Sequence, residues 1–220
     1  MDLSDIKDKL HKEFYKVLKG KLDELRPCQE KAIKAGLFEG NSILVCSPTA
    51  SGKTLVAEMA GIETILNRNG KAIYIVPLTS LANEKFREFK EKYGHFARIA
   101  LSIGNIDSTD PYLSDYDFII TTSEKLDSLI RHNTPWLSSV KTVIVDEIHL
   151  LNDPGRGPTL EILLTMVRQI LSNVQIIGLS ATIGNPKELA KWLGAKLVQD
   201  KWRPCELRKG VYFEGEVKFG

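Results

Sequence analysis

The sequence predicts an α/β domain, a mainly parallel sheet with helices on both faces. Three observations carry that prediction. Short, wholly apolar runs such as Ile43-Leu44-Val45-Cys46 and Ala72-Ile73-Tyr74-Ile75-Val76 alternate with segments of helical period. The runs are too uniformly apolar for strands with one face in water, which points to a sheet covered on both sides. Glycine, hydroxyl and paired carboxylate residues follow directly after these runs, where ligands bind in such sheets.

In chain order, residues 3–18 place Leu3, Ile6, Leu10, Phe14, Val17 and Leu18 on one helical face, and the helix is expected to end at Gly20. Pro27 suits the first position of a second helix running to about Gly36, with Gln29 in its opening turn. Strands are expected at 43–46, 71–76, 98–103, 117–121, 141–145 and 174–179. Helices are expected from Leu55, over 80–92, after Ser123, over 159–171 and over 186–193. Residues 104–116, rich in Asp, Ser and Thr, read as a surface loop. The tail from Trp202 shows no helical pattern. Trp136, Trp192 and Trp202 stand apart from aromatic or basic clusters and read as packing residues.

Composition narrows the class. A chain of 220 residues, 43% of them hydrophobic, can bury the core of one large domain. A net charge of +2 does not demand a polyanionic partner, although a local basic face stays open. Cys28, Cys46 and Cys205 show neither disulfide nor metal spacing, which fits a reducing cytosol. No apolar run reaches membrane-span length, and the N-terminus, with Asp2, Asp5 and Asp8 among lysines, has no signal-peptide core. A soluble intracellular protein without a membrane partner is expected.

The stretch Ser47-Pro48-Thr49-Ala50-Ser51-Gly52-Lys53-Thr54 joins a buried strand to a helix. Such a loop presents consecutive backbone N–H groups at the positive end of a helix dipole. Lys53 can reach the outer phosphates of a nucleoside triphosphate, and the Thr54 hydroxyl can ligate magnesium. Ser47 stands where the usual pattern has glycine. After Val143-Ile144-Val145 come Asp146-Glu147-Ile148-His149, two adjacent carboxylates at a strand end. There Asp146 can hold Mg²⁺ through water, and Glu147 can orient and deprotonate an attacking water.

Taken in order, Pro48 to Thr54, Asp146-Glu147-Ile148-His149 and Ser180-Ala181-Thr182 resemble motifs I, II and III of superfamily 2 helicases. Val76-Pro77-Leu78 with Leu81-Ala82 resembles motif Ia, and Thr121-Thr122-Ser123-Glu124-Lys125 the nucleic-acid motif that follows it. The D-E-x-H form, the run Arg156-Gly157-Pro158-Thr159-Leu160-Glu161 and Trp202-Arg203-Pro204 are most similar to archaeal Ski-type DNA helicases that process stalled replication forks. Cys28 departs from the family where a second proline is usual, and Thr79 where Arg or Lys is common.

The resemblance implies a RecA-like P-loop NTPase domain over residues 1–200, the first of two motor domains. Residues 1–36 would supply N-terminal helices carrying Gln29, whose carboxamide would read adenine. Residues 201–220 would form a linker toward a second motor domain that this sequence does not contain. ATP and Mg²⁺ are the implied cofactors, held by Gln29, Ser47 to Thr54 and Asp146, with Lys53, Asp146 and Glu147 in catalysis. His149, Ser180, Ala181 and Thr182 would couple nucleotide to nucleic acid, His149 by hydrogen-bonding Ser180 or Thr182. Thr79, Thr121, Thr122, Arg156 and Gly157 would contact the strand. The implied activity is 3′-to-5′ translocation by a nucleoid-associated monomer on single-stranded or forked DNA. A chain of this extent alone is expected to be weakly active or inactive, because the arginine finger belongs to the second domain. The alternatives are an RNA helicase of the same superfamily and a non-catalytic nucleotide-dependent interaction module.

Overall fold

The computed structural model describes residues 1–104, 109–171, 173–206, 210–213 and 215–219. Seven strands, β1 (Ile43–Cys46), β2 (Lys71–Val76), β3 (Ile99–Ser102), β4 (Phe118–Thr122), β5 (Val140–Val145), β6 (Gln175–Ser180) and β7 (Lys196–Gln199), form one sheet in the order β3-β4-β2-β5-β6-β1-β7. Every neighbouring pair is parallel. Helices α1 (Lys12–Lys19), α2 (Pro27–Lys34), α3 (Lys53–Asn67), α4 (Thr79–Tyr93), α5 (Ser123–Arg131), α6 (Gly157–Ile170) and α7 (Pro186–Leu193) cover both faces.

Strand alternation sorts the core into two layers. Ile43, Val45, Tyr74, Val76, Ile144 and Ile177 pack with α1 to α4 residues on one face. Leu44, Cys46, Ile73, Ile75, Val143, Val145 and Ile176 pack with α5, α6 and α7 on the other. The expected α/β class and the covering on both faces are borne out, and the six expected strands all occur within a residue or two of their expected bounds.

Three places differ from the sequence expectation. The continuous helix over 3–18 is interrupted: a 3-10 segment spans Leu3–Lys9, and Leu10 and His11 are extended before α1. His11 causes the break, since its N–H donates to Glu63 Oε1 at 2.9 Å and its ring Nδ1 accepts from the Glu13 N–H at 3.4 Å, capping α1. The apolar period survives, with Leu3, Ile6, Leu10, Phe14 and Leu18 all buried. Strand β7 was not anticipated, because Lys196-Leu197-Val198-Gln199 is half polar, as an edge strand with one neighbour can be. The tail carries an antiparallel hairpin, β8 (Gly210–Phe213) and β9 (Glu216–Phe219), unforeseen in the sequence. Of the expected loop over 104–116, residues 105–108 lie outside the described residues, and Pro111–Asp115 forms a 3-10 turn seated by buried Leu113.

The end of the sheet away from the motifs is locked by one buried amide. Gln175 donates to the carbonyls of Leu37 (2.8 Å) and Asn41 (2.9 Å), and accepts from Arg68 Nη1 (3.0 Å) and Thr142 Oγ1 (3.2 Å). Gln175→Ala removes the partner of the Leu37 and Asn41 carbonyls and of Arg68 Nη1, while the Thr142 hydroxyl keeps its bond to Thr64 Oγ1 at 2.6 Å. A loss of about 2–4 kcal/mol in urea unfolding is expected, given the cost of buried unsatisfied groups. A loss within experimental error would show that water replaces the amide without penalty.

Candidate nucleotide-binding site

Strands β5, β6 and β1 are neighbours, so the segments after their C-terminal ends are brought side by side. Register aligns them: Val145 pairs with Gly178, and Cys46 with Ser180. Pairing continues into the loop, where the Ser47 N–H donates to the Ser180 carbonyl at 3.2 Å. The three chemistry-bearing segments of the sequence therefore share one edge of the sheet.

The loop between β1 and α3 is built from hydroxyls and two left-handed residues. Ser47 and Ser51 are buried with their hydroxyl oxygens 2.7 Å apart, and the Ser51 N–H donates to the Pro48 carbonyl at 3.3 Å. Ala50 and Gly52 have φ of 63° and 94°. Gly52 cannot be replaced cheaply, since a Cβ there would meet Gln29 Nε2 at 2.4 Å and Arg26 Cδ at 2.9 Å. Gly52 is the N-cap of α3, so Lys53 and Thr54 occupy its first turn, at the positive end of a 15-residue helix. Lys53 is only 9% exposed, and its ammonium lies 3.5 Å from the Ser47 carbonyl, a long contact for a buried cation. A buried ammonium in the first turn of a helix suits an anion with several oxygens.

Helix α2 closes against this loop. Gln29 is buried, its Oε1 accepts from the Arg26 N–H at 2.8 Å, and its Nε2 donates to the Gly52 carbonyl at 2.9 Å. One N–H and one lone pair of the carboxamide remain. Cys28 Sγ donates to the Ser51 carbonyl at 3.4 Å, and Arg26 Nη1 to the Ala50 carbonyl at 2.5 Å. The Arg26 guanidinium also lies 5.5 Å from the ring of Trp202, which is 39% exposed and half-stacked rather than packed in a core. Beside these residues lies a cavity of about 340 Å³, bordered by Gln29, Gly52, Thr54, Leu55 and Glu58. Its wall is charged and paired: Lys92 bonds Glu58 and Glu88, Lys85 bonds Glu88, and the Tyr93 hydroxyl donates to Glu58.

Asp146 and Glu147 follow β5. The Asp146 N–H donates to the Ile75 carbonyl at 2.9 Å, extending the sheet past Val145. Its carboxylate accepts the Glu147 N–H on Oδ1 at 3.0 Å and the Tyr74 hydroxyl on Oδ2 at 2.9 Å. Burial first, and then the neighbouring Asp146 charge, hold the Tyr74 phenol well above its usual range, so it remains a donor. Glu147 adopts φ 48°, an uncommon value for a residue with a Cβ, and turns the chain into a 3-10 segment, Ile148–Asn152. That turn sends His149 back toward Glu147, with Nδ1 3.3 Å from Oε2 but off the angle of a hydrogen bond.

The expected hydrogen bond from His149 to Ser180 or Thr182 is thus not made. Among the described residues the buried Ser180 hydroxyl has no hydrogen-bond partner, Ala181 is half-buried and Thr182 is exposed. Among the described residues no group of three or more His, Cys, Asp or Glu could hold a metal by itself. Asp146 and Thr54 instead offer one carboxylate and one hydroxyl, the sparse oxygen set of a magnesium ion that keeps waters and shares phosphate oxygens. The donor chemistry fits that ion.

The expected nucleic-acid residues divide. Thr79 and Arg156 are exposed, whereas Thr121, Thr122 and Gly157 are buried. The Thr121 hydroxyl donates to the Thr122 carbonyl at 3.4 Å, and the Gly157 N–H to the Asp153 carbonyl at 2.8 Å. Gly157 is required for packing, since a Cβ would meet the Leu151 carbonyl oxygen at 2.2 Å. Arg156 borders the same crevice as Pro77, Ser123, Asp146 and Glu147, so the cationic candidate stands next to the carboxylates. Tyr74 and Arg26 are site residues that sequence reading missed. A tyrosine inside an aliphatic strand was the available signal, because a buried hydroxyl must find a partner.

Comparison with known proteins agrees with this geometry. The chain is 53% identical over 196 residues to an ATP-dependent DNA helicase Hel308 of Pyrococcus abyssi, covering 89% of this chain and 27% of that protein. To the protein of the same name from Methanocaldococcus jannaschii it is 57% identical over 203 residues, covering 89% and 17%. The chain thus spans about a quarter or less of the length of these curated relatives. The crystal structure of DUF1998 helicase MrfA bound to DNA superposes with a TM-score of 0.72 at 27% identity, over 88% of this chain and 30% of that one. A DEAD/DEAH box helicase family model matches residues 26–189, which include the phosphate loop, both carboxylates and Ser180-Ala181-Thr182, and the chain belongs to that family.

Proposed function

We propose that this chain is the nucleotide-binding motor domain of an ATP-dependent DNA helicase, over residues 1–200, with residues 201–220 leading toward a second motor domain. The observation that supports this most is the alignment of the phosphate loop, Asp146-Glu147 and Ser180-Ala181-Thr182 along one sheet edge. The names of the relatives, DNA helicases, favour DNA over RNA as the strand. Translocation in the 3′-to-5′ sense, single-stranded or forked DNA as substrate and action as a monomer follow from the resemblance, as does action inside the cell. No helix among the described residues is long and apolar enough to cross a membrane.

In this reading Lys53 and the first-turn N–H groups of α3 bind the outer phosphates. Asp146 and Thr54 would hold magnesium, which supplies charge neutralisation on the phosphate oxygens. Glu147 takes the proton of the attacking water. Thr79 and Arg156, exposed beside β2 and the carboxylates, hold the sugar-phosphate backbone, which positions a strand without reading its sequence. The deciding experiment is steady-state ATP hydrolysis by the full-length protein with matched DNA and RNA strands. Stimulation by DNA is expected; stimulation by RNA alone would make it an RNA helicase, and no turnover with either would leave a nucleotide-dependent interaction module.

Gln29 is assigned to the base. Its free N–H and lone pair complement adenine N7 and N6 and mismatch guanine, whose edge presents two acceptors. ADP is expected to bind more tightly than GDP by about 1–3 kcal/mol in calorimetry. Equal affinities, unchanged in Gln29→Ala, would leave Gln29 with its bond to Gly52 alone.

A further inference from the structure

Tyr74 lies in the middle of β2, fully buried, in a strand whose other inward residues are aliphatic. Its ring meets Phe89 edge-on at 5.5 Å and 80°, and Phe118 at 6.5 Å, so the aromatic packing of this layer would accept phenylalanine. What the hydroxyl adds falls on one atom, Asp146 Oδ2, at 2.9 Å. The other oxygen, Oδ1, takes the Glu147 N–H, and the Asp146 N–H is fixed to the Ile75 carbonyl on the same strand as Tyr74.

We infer that Tyr74 is a positioning residue for the metal-facing carboxylate, a role that rests on the reading of Asp146 as the magnesium group. One donor on a carboxylate leaves it free to rotate about its terminal bond. Two donors, on different oxygens, one from the interior of β2 and one from the turn after β5, fix its plane. Each oxygen keeps a lone pair for a metal-bound water. The phenol cannot swing away, because its ring is held between Phe89 and Phe118 and its strand is paired on both sides. Asp146 is therefore oriented before any ion arrives, and the ordering cost is met in folding rather than in binding. The same contact ties the carboxylate to α4, which carries Phe89 and begins at Thr79.

The test is Tyr74→Phe in this chain, read by calorimetry of ADP across a magnesium titration and in EDTA. The magnesium concentration that half-restores tight ADP binding is expected to rise about 10-fold, at the low end for an outer partner of a metal ligand. Affinity in EDTA is expected to stay as in the parent. An unchanged magnesium curve, or an equal loss in EDTA, overturns the inference. Asp146→Asn is measured in parallel and is expected to abolish the magnesium effect; if it does not, the assignment of Asp146 is at fault and the role of Tyr74 falls with it. Adding Tyr74→Phe to Asp146→Asn should leave ADP affinity, with magnesium and in EDTA, as in Asp146→Asn alone, and a further fall would mean that the phenol acts elsewhere. Should Tyr74→Phe fail to fold, 3-fluorotyrosine at position 74 keeps both ring and hydroxyl. Its fluorine resonance should shift with Asp146→Asn and with magnesium plus ADP, but not with ADP in EDTA. A resonance blind to Asp146→Asn overturns the inference.

Discussion

Glu147→Gln in the full-length protein is expected to lower ATP turnover by about 10²–10⁴-fold, the usual contribution of a positioned general base, while leaving Mg-ATP affinity close to that of the parent. The amide keeps the shape of the side chain but cannot take the water's proton. Affinity should survive because both oxygens of Asp146 keep their donors, the Glu147 N–H and the Tyr74 hydroxyl, and neither involves the side chain of Glu147. Glu147 also holds φ 48°, which costs a residue with a Cβ of order 1–3 kcal/mol. Glu147→Gly should therefore lose turnover as fully as the glutamine variant without losing stability. Single-turnover hydrolysis with equilibrium nucleotide binding separates the outcomes. A parallel fall in affinity would make Glu147 a ligand rather than a base, and undiminished turnover would place the base elsewhere.

What could be read from residues alone follows the strength of the local pattern. The central strands announce themselves because both of their faces are buried, so Ile43-Leu44-Val45-Cys46 and Ile73-Tyr74-Ile75-Val76 are unbroken apolar runs. Edge strand β7 has one neighbour, tolerates Lys196 and Gln199, and loses that signature. The helix break at His11 was invisible because the residue that stabilises it, Glu63, lies 52 positions away. The phosphate loop and Asp146-Glu147 were legible as short motifs at strand ends, since the chemistry requires contiguous residues. The position of His149 was not, because the left-handed turn at Glu147 decides it and no neighbouring residue signals that turn. Nor was Gln29's bond to Gly52, which depends on how closely α2 approaches the loop.

Lys53→Ala is expected to weaken ATP and ADP binding itself, by about 10- to 100-fold, because a hydrogen bond to a charged group contributes roughly 1.5–3 kcal/mol. The contrast with Glu147→Gln lies in what each group faces before the nucleotide arrives. The Lys53 ammonium is 9% exposed and, among the described residues, has one hydrogen-bond acceptor, the Ser47 carbonyl at 3.5 Å, so the free protein keeps a poorly compensated buried cation. Removing it should leave the nucleotide-free fold as stable as the parent or slightly more so. Adding nucleotide should then reverse the order. At a ligand concentration 100 times the parent's Kd, binding stabilises the parent by about 2.7 kcal/mol, while a variant bound 100-fold more weakly gains only about 0.4 kcal/mol by the same relation. Thermal unfolding with and without ADP reads both quantities in one experiment. A variant that is destabilised when free yet equally protected by ADP would mean that Lys53 serves the loop's architecture and that the backbone N–H groups hold the phosphates unaided.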